Sequence, residues 1–112
     1  MSDAIVVMVT CGSSEEARTI ATRLLEERLV ACVNIAGRIR SLFHWKGAVA
    51  QESESLLLMK TRAECFERLS KRVKELHSYE VPEVIAVPIM VGNPDYLDWI
   101  RQSTLPADEQ AG

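Results

Sequence analysis

Between Val33 and Lys60 the side chains follow a period of two for longer than any other pattern in the chain lasts, and one glycine-containing break divides it into two arms. That is the signature of a long antiparallel hairpin. Val33, Ile35, Ile39, Phe43 and Trp45 fall on one side, Asn34, Arg38, Arg40 and His44 on the other, and a bend is expected at Gly37. Lys46-Gly47 is the two-residue turn, since glycine accepts the positive φ such turns require. Ala48 to Lys60 returns antiparallel, polar at first through Gln51, Glu52, Ser53 and Glu54, then apolar through Leu56-Leu57-Leu58-Met59. An arm of about thirteen residues at roughly 3.3 Å each spans about 43 Å, whereas a helix of about fifteen covers only about 22 Å. The hairpin must overhang the helices packed on it. Its overhang carries Ile39, Leu42, Phe43, Trp45 and Val49, too much apolar surface to leave in water beside an open edge, so Phe43 and Trp45 are expected at contacts with another copy of the chain.

The flanking segments complete the architecture. Ala4-Ile5-Val6-Val7-Met8-Val9 is a short, continuously apolar run and reads as a central strand ended by Thr10-Cys11-Gly12. Ser13-Ser14-Glu15-Glu16 supplies a capping box, with Glu16 reaching back to the cap, for a helix expected to run to about Leu29 on the stripe Ala17, Ile20, Ala21, Leu24 and Leu25. Thr61-Arg62-Ala63-Glu64 is a second capping box, opening a helix with the stripe Phe66, Leu69, Val73 and Leu76. Val84 to Val91 is the last core strand, with Pro88 signalling an edge or a bulge. Asn93 and Pro94 start a short third helix through Tyr96, Leu97, Trp99 and Ile100, and residues from about 103 to 112 are expected to fray. The order βαββαβ plus a C-terminal helix predicts an α+β, ferredoxin-like antiparallel sheet with a long hairpin between its second and third strands.

Composition narrows the function. A chain of 112 residues, 47% hydrophobic and 26% charged, is expected to form one domain over 1–112 with a core of its own. Thirteen Lys and Arg interleave with sixteen Asp and Glu at a net charge of -3, which leaves no basic block for nucleic acid. No apolar run reaches membrane-span length, and the three cysteines, Cys11, Cys32 and Cys65, are odd in number with no C-x-x-C spacing. These features predict reduced thiols and a cytoplasmic location, with no membrane partner.

Chemistry concentrates in His77-Ser78-Tyr79-Glu80-Val81-Pro82-Glu83, where Pro82 forces the second helix to stop and the chain to turn into the last strand. His77 can cap helix carbonyls or ligate a metal; Glu80 and Glu83, its neighbours in sequence, can anchor the turn or line a site. Tyr79 reads equally as a packing residue with a wet hydroxyl. Lys60, at the end of a buried strand, must snorkel, pair with a carboxylate or line a cleft. No nucleophile elbow, phosphate loop, H-E-x-x-H or paired-cysteine zinc motif is present, and no enzymatic activity is expected. The weaker enzymatic reading would use Lys60 and Glu80 as an acid/base pair.

Several motifs in fixed order, Leu29-Val30-Ala31-Cys32-Val33-Asn34-Ile35, Trp45-Lys46-Gly47, Leu58-Met59-Lys60-Thr61, His77 to Glu83, and Gly92-Asn93 with Tyr96-Leu97 and Trp99, closely resemble the CutA divalent-cation-tolerance family. The resemblance spans nearly the whole chain. It implies a ferredoxin-like fold, a homotrimer, a cytoplasmic location in bacteria, and an association with copper and other divalent cations. It also implies a thiol ligand near the end of the first strand, where Cys11 stands, to accompany His77. Ser78 departs from the family pattern, which has proline after the histidine, and adds a backbone donor. Two functions follow. One is a trimeric protein binding copper or other divalent cations in metal-ion tolerance. The other is a trimeric small-molecule sensor or interaction hub, with clefts between subunits lined by Lys60, Tyr79, Glu80, Glu83, Tyr96 and Trp99 and an unidentified protein or small-molecule partner.

Overall fold

The two arms of the hairpin and the two core runs assemble into one four-stranded sheet. In the computed structural model, which describes residues 3–105, the elements are β1 (Ala4–Cys11), α1 (Ser14–Glu26), β2 (Cys32–Trp45), β3 (Ala48–Arg62), α2 (Phe66–Leu76), β4 (Val84–Pro88) and α3 (Pro94–Ser103). The sheet order is β2-β3-β1-β4, and every neighbouring pair is antiparallel. This is the ferredoxin-like α+β arrangement. Ala4 to Cys11 pairs with Arg62 to Ser55, and Ile5 to Val9 pairs with Pro88 to Val84 on the other side. β4 stops at Pro88 rather than Val91: the Ile89 amide still bonds the Ala4 carbonyl at 3.0 Å, but β1 begins at Ala4, and Met90 and Val91 beyond it are exposed.

One face of the sheet carries the core. Val7, Val9, Leu57 and Met59 share that face and are fully buried against Ile20, Leu24, Leu69 and Val73 of α1 and α2. The opposite face holds Val6, Met8, Leu56, Leu58, Ile85 and Val87, none of which is buried. α3 lies at one end of this second face. Arg62, on that face, donates to the Thr104 hydroxyl and carbonyl, and Ile100 is fully buried there, outside the principal cluster. The chain therefore does not fray at Ser103, because Thr104 is locked under Arg62; residues 106–112 lie outside the described residues.

The hairpin is as long as expected, fourteen and fifteen residues per arm, and the molecule measures 44 × 31 × 23 Å. Trp45 pairs with Ala48, and both turn residues take positive φ, Lys46 at 51° and Gly47 at 80°, the primed turn that matches strand twist. The sidedness of β2 differs from the simple alternation. Ala36 opposes Leu56 while Ile39 opposes Glu54, so Gly37 and Arg38 together face one residue of β3. This bulge inserts one residue and reverses the phase. Val33 and Ile35 thus point to the helix-covered face, whereas Ile39, Phe43 and Trp45 point to the open one.

Both expected capping boxes change partners. Ser13 does cap α1, accepting from the Glu16 amide at 3.1 Å, but the Glu16 carboxylate turns away from the cap. Thr61 and Arg62 remain strand, and Thr61 donates its hydroxyl to the Leu29 carbonyl at 2.6 Å instead of capping. α2 begins after a single 3-10 turn at Ala63–Cys65. At the third helix start Asn93 accepts from the Asp95 amide at 2.9 Å with Pro94 in the first turn, as expected.

Candidate metal centre

The end of β1, the first turn of α1 and the residue capping the end of α2 meet at one corner of the core. β1 brings Cys11 there, fully buried opposite Ser55. α1 begins three residues later and projects Glu16 from its first turn. His77 closes α2, its own amide bonding the Val73 carbonyl at 2.8 Å, and its side chain is wholly enclosed. One ligand atom from each of Cys11, Glu16 and His77 lies within 4.8 Å of the other two. The structure thus joins both residues expected at a metal site and adds Glu16. It leaves out Glu80 and Glu83, the carboxylates nearest to His77 in sequence, which are exposed in the following loop.

Hydrogen bonds fix the imidazole. The Tyr79 amide, which can only donate, bonds Nδ1 at 3.0 Å, so Nδ1 is an acceptor. Nε2 then carries the ring proton and donates it to the Thr10 carbonyl at 2.7 Å. The helix-capping and the metal readings of His77 converge on one residue. Glu16 Oε2 accepts from the Ser78 amide at 3.0 Å, the donor a proline at 78 would lack. Glu16 Oε1 is buried with no hydrogen-bond partner among the described residues and stands 3.8 Å from Nδ1. Two acceptors therefore face one another beside a thiol. Burial pushes the Cys11 thiol up to about 12, with the Glu16 and Glu54 carboxylates adding to the shift.

Tyr79 covers this corner. Its ring lies 4.6 Å from the His77 ring, and its hydroxyl donates to Glu54 Oε2 at 2.8 Å. Gly12 makes room, since a Cβ there would stand 3.3 Å from the Tyr79 hydroxyl oxygen. Burial, followed by the bond to Glu54, raises the phenol to about 12.

The residues expected to line one cleft divide among three places within a chain. Tyr79 reaches β3 at Glu54, six residues from Lys60, which is about 20 Å along a strand. Lys60 donates to the Asn34 side chain across the β2–β3 pair, which settles it without a carboxylate. Tyr96 of α3 lies beside Cys32, and its ring tilts against that of Trp99 at 5.5 Å between ring centroids. Glu80 lines a separate shallow depression with Ser70, Lys74, Val81, Pro82 and Val84.

A buried imidazole, a half-buried carboxylate and a buried thiol at one corner can accept a cation once the thiol proton leaves. The unpaired Oε1 is the observation that fits: a positive charge beside it would satisfy it, with Nδ1 and Sγ within reach as further donors. Fold and site together define a small ferredoxin-like protein with a protruding hairpin and a buried cluster of metal-ligating residue types. Residues 5–103 match the sequence model of the family described as CutA1 divalent ion tolerance protein. A Thermus thermophilus protein named divalent-cation tolerance protein CutA is 52% identical over 99 residues, covering 88% of this chain and 96% of its own. A solved CutA1 structure from that organism superposes with a TM-score of 0.89 at 51% identity, covering 90% of this chain and 98% of the other. A CutA structure from Archaeoglobus fulgidus, named as periplasmic, gives 0.87 at 42% identity, covering 89% and 97%. The chloroplastic CutA protein of Arabidopsis thaliana is 45% identical over 89% of this chain, which spans 55% of that longer protein. The chain belongs to the CutA1 divalent ion tolerance family.

Proposed function

We propose that the protein binds copper or another divalent cation as cargo at Cys11, Glu16 and His77, and serves metal-ion tolerance without catalysing a reaction. The unpaired buried Glu16 Oε1 beside an imidazole lone pair carries this reading. The Cys11 thiolate would supply a soft donor, Nδ1 a borderline one and Glu16 charge neutralisation, a set suited to copper or zinc. A thiol raised to about 12 is the opposite of an activated nucleophile, which disfavours a catalytic cysteine, and a cation must expel the same proton in order to bind. The free thiols Cys11, Cys32 and Cys65 favour a reducing compartment, the cytoplasm, although relatives carry chloroplastic and periplasmic names.

We propose further that the chain works as a homotrimer. The open sheet face is apolar, and the two sheet edges, β2 and β4, are different strands. A contact between the β2 edge of one copy and the β4 edge of the next would be head to tail and would close into a ring; the number three follows the family resemblance. Lys60, Tyr96 and Trp99 of one copy could share a cleft with Tyr79 only across such a boundary, which is the condition for the sensor reading.

The test of the cation site is calorimetric titration of the metal-free protein with copper and zinc. Wild type should bind, and Cys11→Ser, Glu16→Gln and His77→Ala should each weaken binding about 10- to 100-fold. Unchanged affinity in Cys11→Ser and His77→Ala overturns the assignment and leaves His77 as a helix cap.

A further inference from the structure

We infer that the Tyr79 segment is a built-in competitor for the cation site, so that uptake of a cation and closure of this segment exclude one another. The inference rests on the cation reading above and adds the regulation of that site. An imidazole nitrogen offers a single lone pair, and that of His77 Nδ1 is already taken by the Tyr79 amide at 3.0 Å. Nε2 offers no alternative, because its proton is donated to the Thr10 carbonyl and the ring is fully enclosed. A cation at Nδ1 must displace the Tyr79 amide.

Displacement cannot stay local. The amide, the ring against His77 and the hydroxyl on Glu54 belong to one residue, so all three contacts loosen together. Glu16 responds differently. The Ser78 amide sits on Oε2, whereas the unpaired oxygen is Oε1, so the carboxylate can take a cation while keeping Ser78. Ser78 therefore acts as the hinge and Tyr79 as the moving cover. The segment that moves continues into Glu80 and Val81, both exposed, and occupancy of a buried site is thereby reported at the surface. Closure scales the apparent affinity down by the fraction of time the site stands open, and loss of any closing contact should raise it.

The probe is zinc, which is redox-silent and diamagnetic, added to the metal-free full chain. Amide hydrogen exchange is read at Ser78 and Tyr79, with zinc affinity measured in parallel for wild type, Tyr79→Phe and His77→Ala. Saturating zinc should speed exchange at Tyr79 at least 10-fold while Ser78 stays protected. Tyr79→Phe, which keeps the ring but loses the Glu54 bond, should bind zinc about 3- to 10-fold more tightly. A purely structural role for Tyr79 would lower thermal stability in Tyr79→Phe and leave zinc affinity unmoved, which overturns the inference. Zinc binding that depends on His77 with Tyr79 exchange unchanged also overturns it while the cation site stands. Zinc binding indifferent to His77→Ala, or no binding of either zinc or copper, overturns both.

Discussion

Cys11 is a thiol whose environment resists ionisation from every side: fully buried, with the carboxylates of Glu16 and Glu54 near it. Its pKa rises from 9.0 to about 12, so the folded state holds a proton that the unfolded chain releases in that interval. The stability this contributes is complete below about pH 9 and is lost as pH climbs toward about 12. Chemical denaturation between pH 8 and 11 should show stability falling in wild type and falling less steeply in Cys11→Ala, whose cavity adds an offset independent of pH; parallel slopes would refute the assignment. Cation binding must expel the same proton, so affinity should rise with pH. At this scale His77 and Cys11 were legible in the sequence, one by its place at a helix end and one by family pattern. Glu16 was not, because a glutamate three residues after a helix-capping serine has a sufficient explanation as half of a capping box. Only its partner Ser78, sixty-two residues away, shows where the carboxylate goes. Residues brought together by topology carry no signal in local spacing.

The elements were legible in type and order because long periodic runs and a proline-marked helix start are strong local signals. Their ends were less so, for physical reasons that differ from case to case. α1 stops at Glu26, short of Leu29, in a left-handed closure: Leu29 donates to the Leu24 carbonyl and Arg28 to the Leu25 carbonyl, both 3.0–3.1 Å. That closure usually advertises itself with glycine, and here Arg28 takes the left-handed residue's place at φ 58°. Leu24 and Leu29 are buried in the same cluster, so Leu29 imitated a helical core position in the pattern. Arg28→Gly removes the side-chain penalty at that φ, which exceeds the entropic cost of glycine, and should stabilise the protein by about 0.5–1 kcal/mol. A lowered denaturation midpoint would show that the Arg28 side chain makes contacts outweighing its strain. The β2 bulge misled in another way. Val33, Ile35, Ile39, Phe43 and Trp45 all fall on odd numbers, and a one-residue insertion at Gly37-Arg38 sends the two halves of that series to opposite faces.

For the molecule as a whole, that phase reversal joins the hairpin to the open face of the sheet. Ile39, Phe43 and Trp45 lie on the same side as Met8, Leu56, Leu58 and Ile85, so the apolar surface runs from the sheet out along the overhang. Ile85 is 49% exposed and Trp45 61% exposed in the isolated chain, values that make opposite forecasts for chains that stay apart and chains that assemble. If the chains stay apart, Ile85→Asp is a surface change worth about 0.5 kcal/mol or less. In the proposed ring it places a carboxylate in a closed apolar contact and should abolish assembly. Native mass spectrometry at micromolar concentration should give a trimer for wild type, a monomer for Ile85→Asp, and an unchanged trimer for Arg18→Asp on the exposed side of α1. Trp45→Ala sharpens the comparison. Its only aromatic contact within the described residues is Lys46, 5.7 Å from the ring centroid, and little stability is at stake in a lone chain. Packed between copies, truncation of so large a ring should cost about 3–5 kcal/mol per chain. Thermal unfolding over a hundredfold range of protein concentration separates the cases. The midpoint should climb with concentration in wild type, because only the folded chain associates, and should sit lower at every concentration in Trp45→Ala. A wild-type midpoint independent of concentration, together with a monomer mass, would return both residues to solvent and remove the ring.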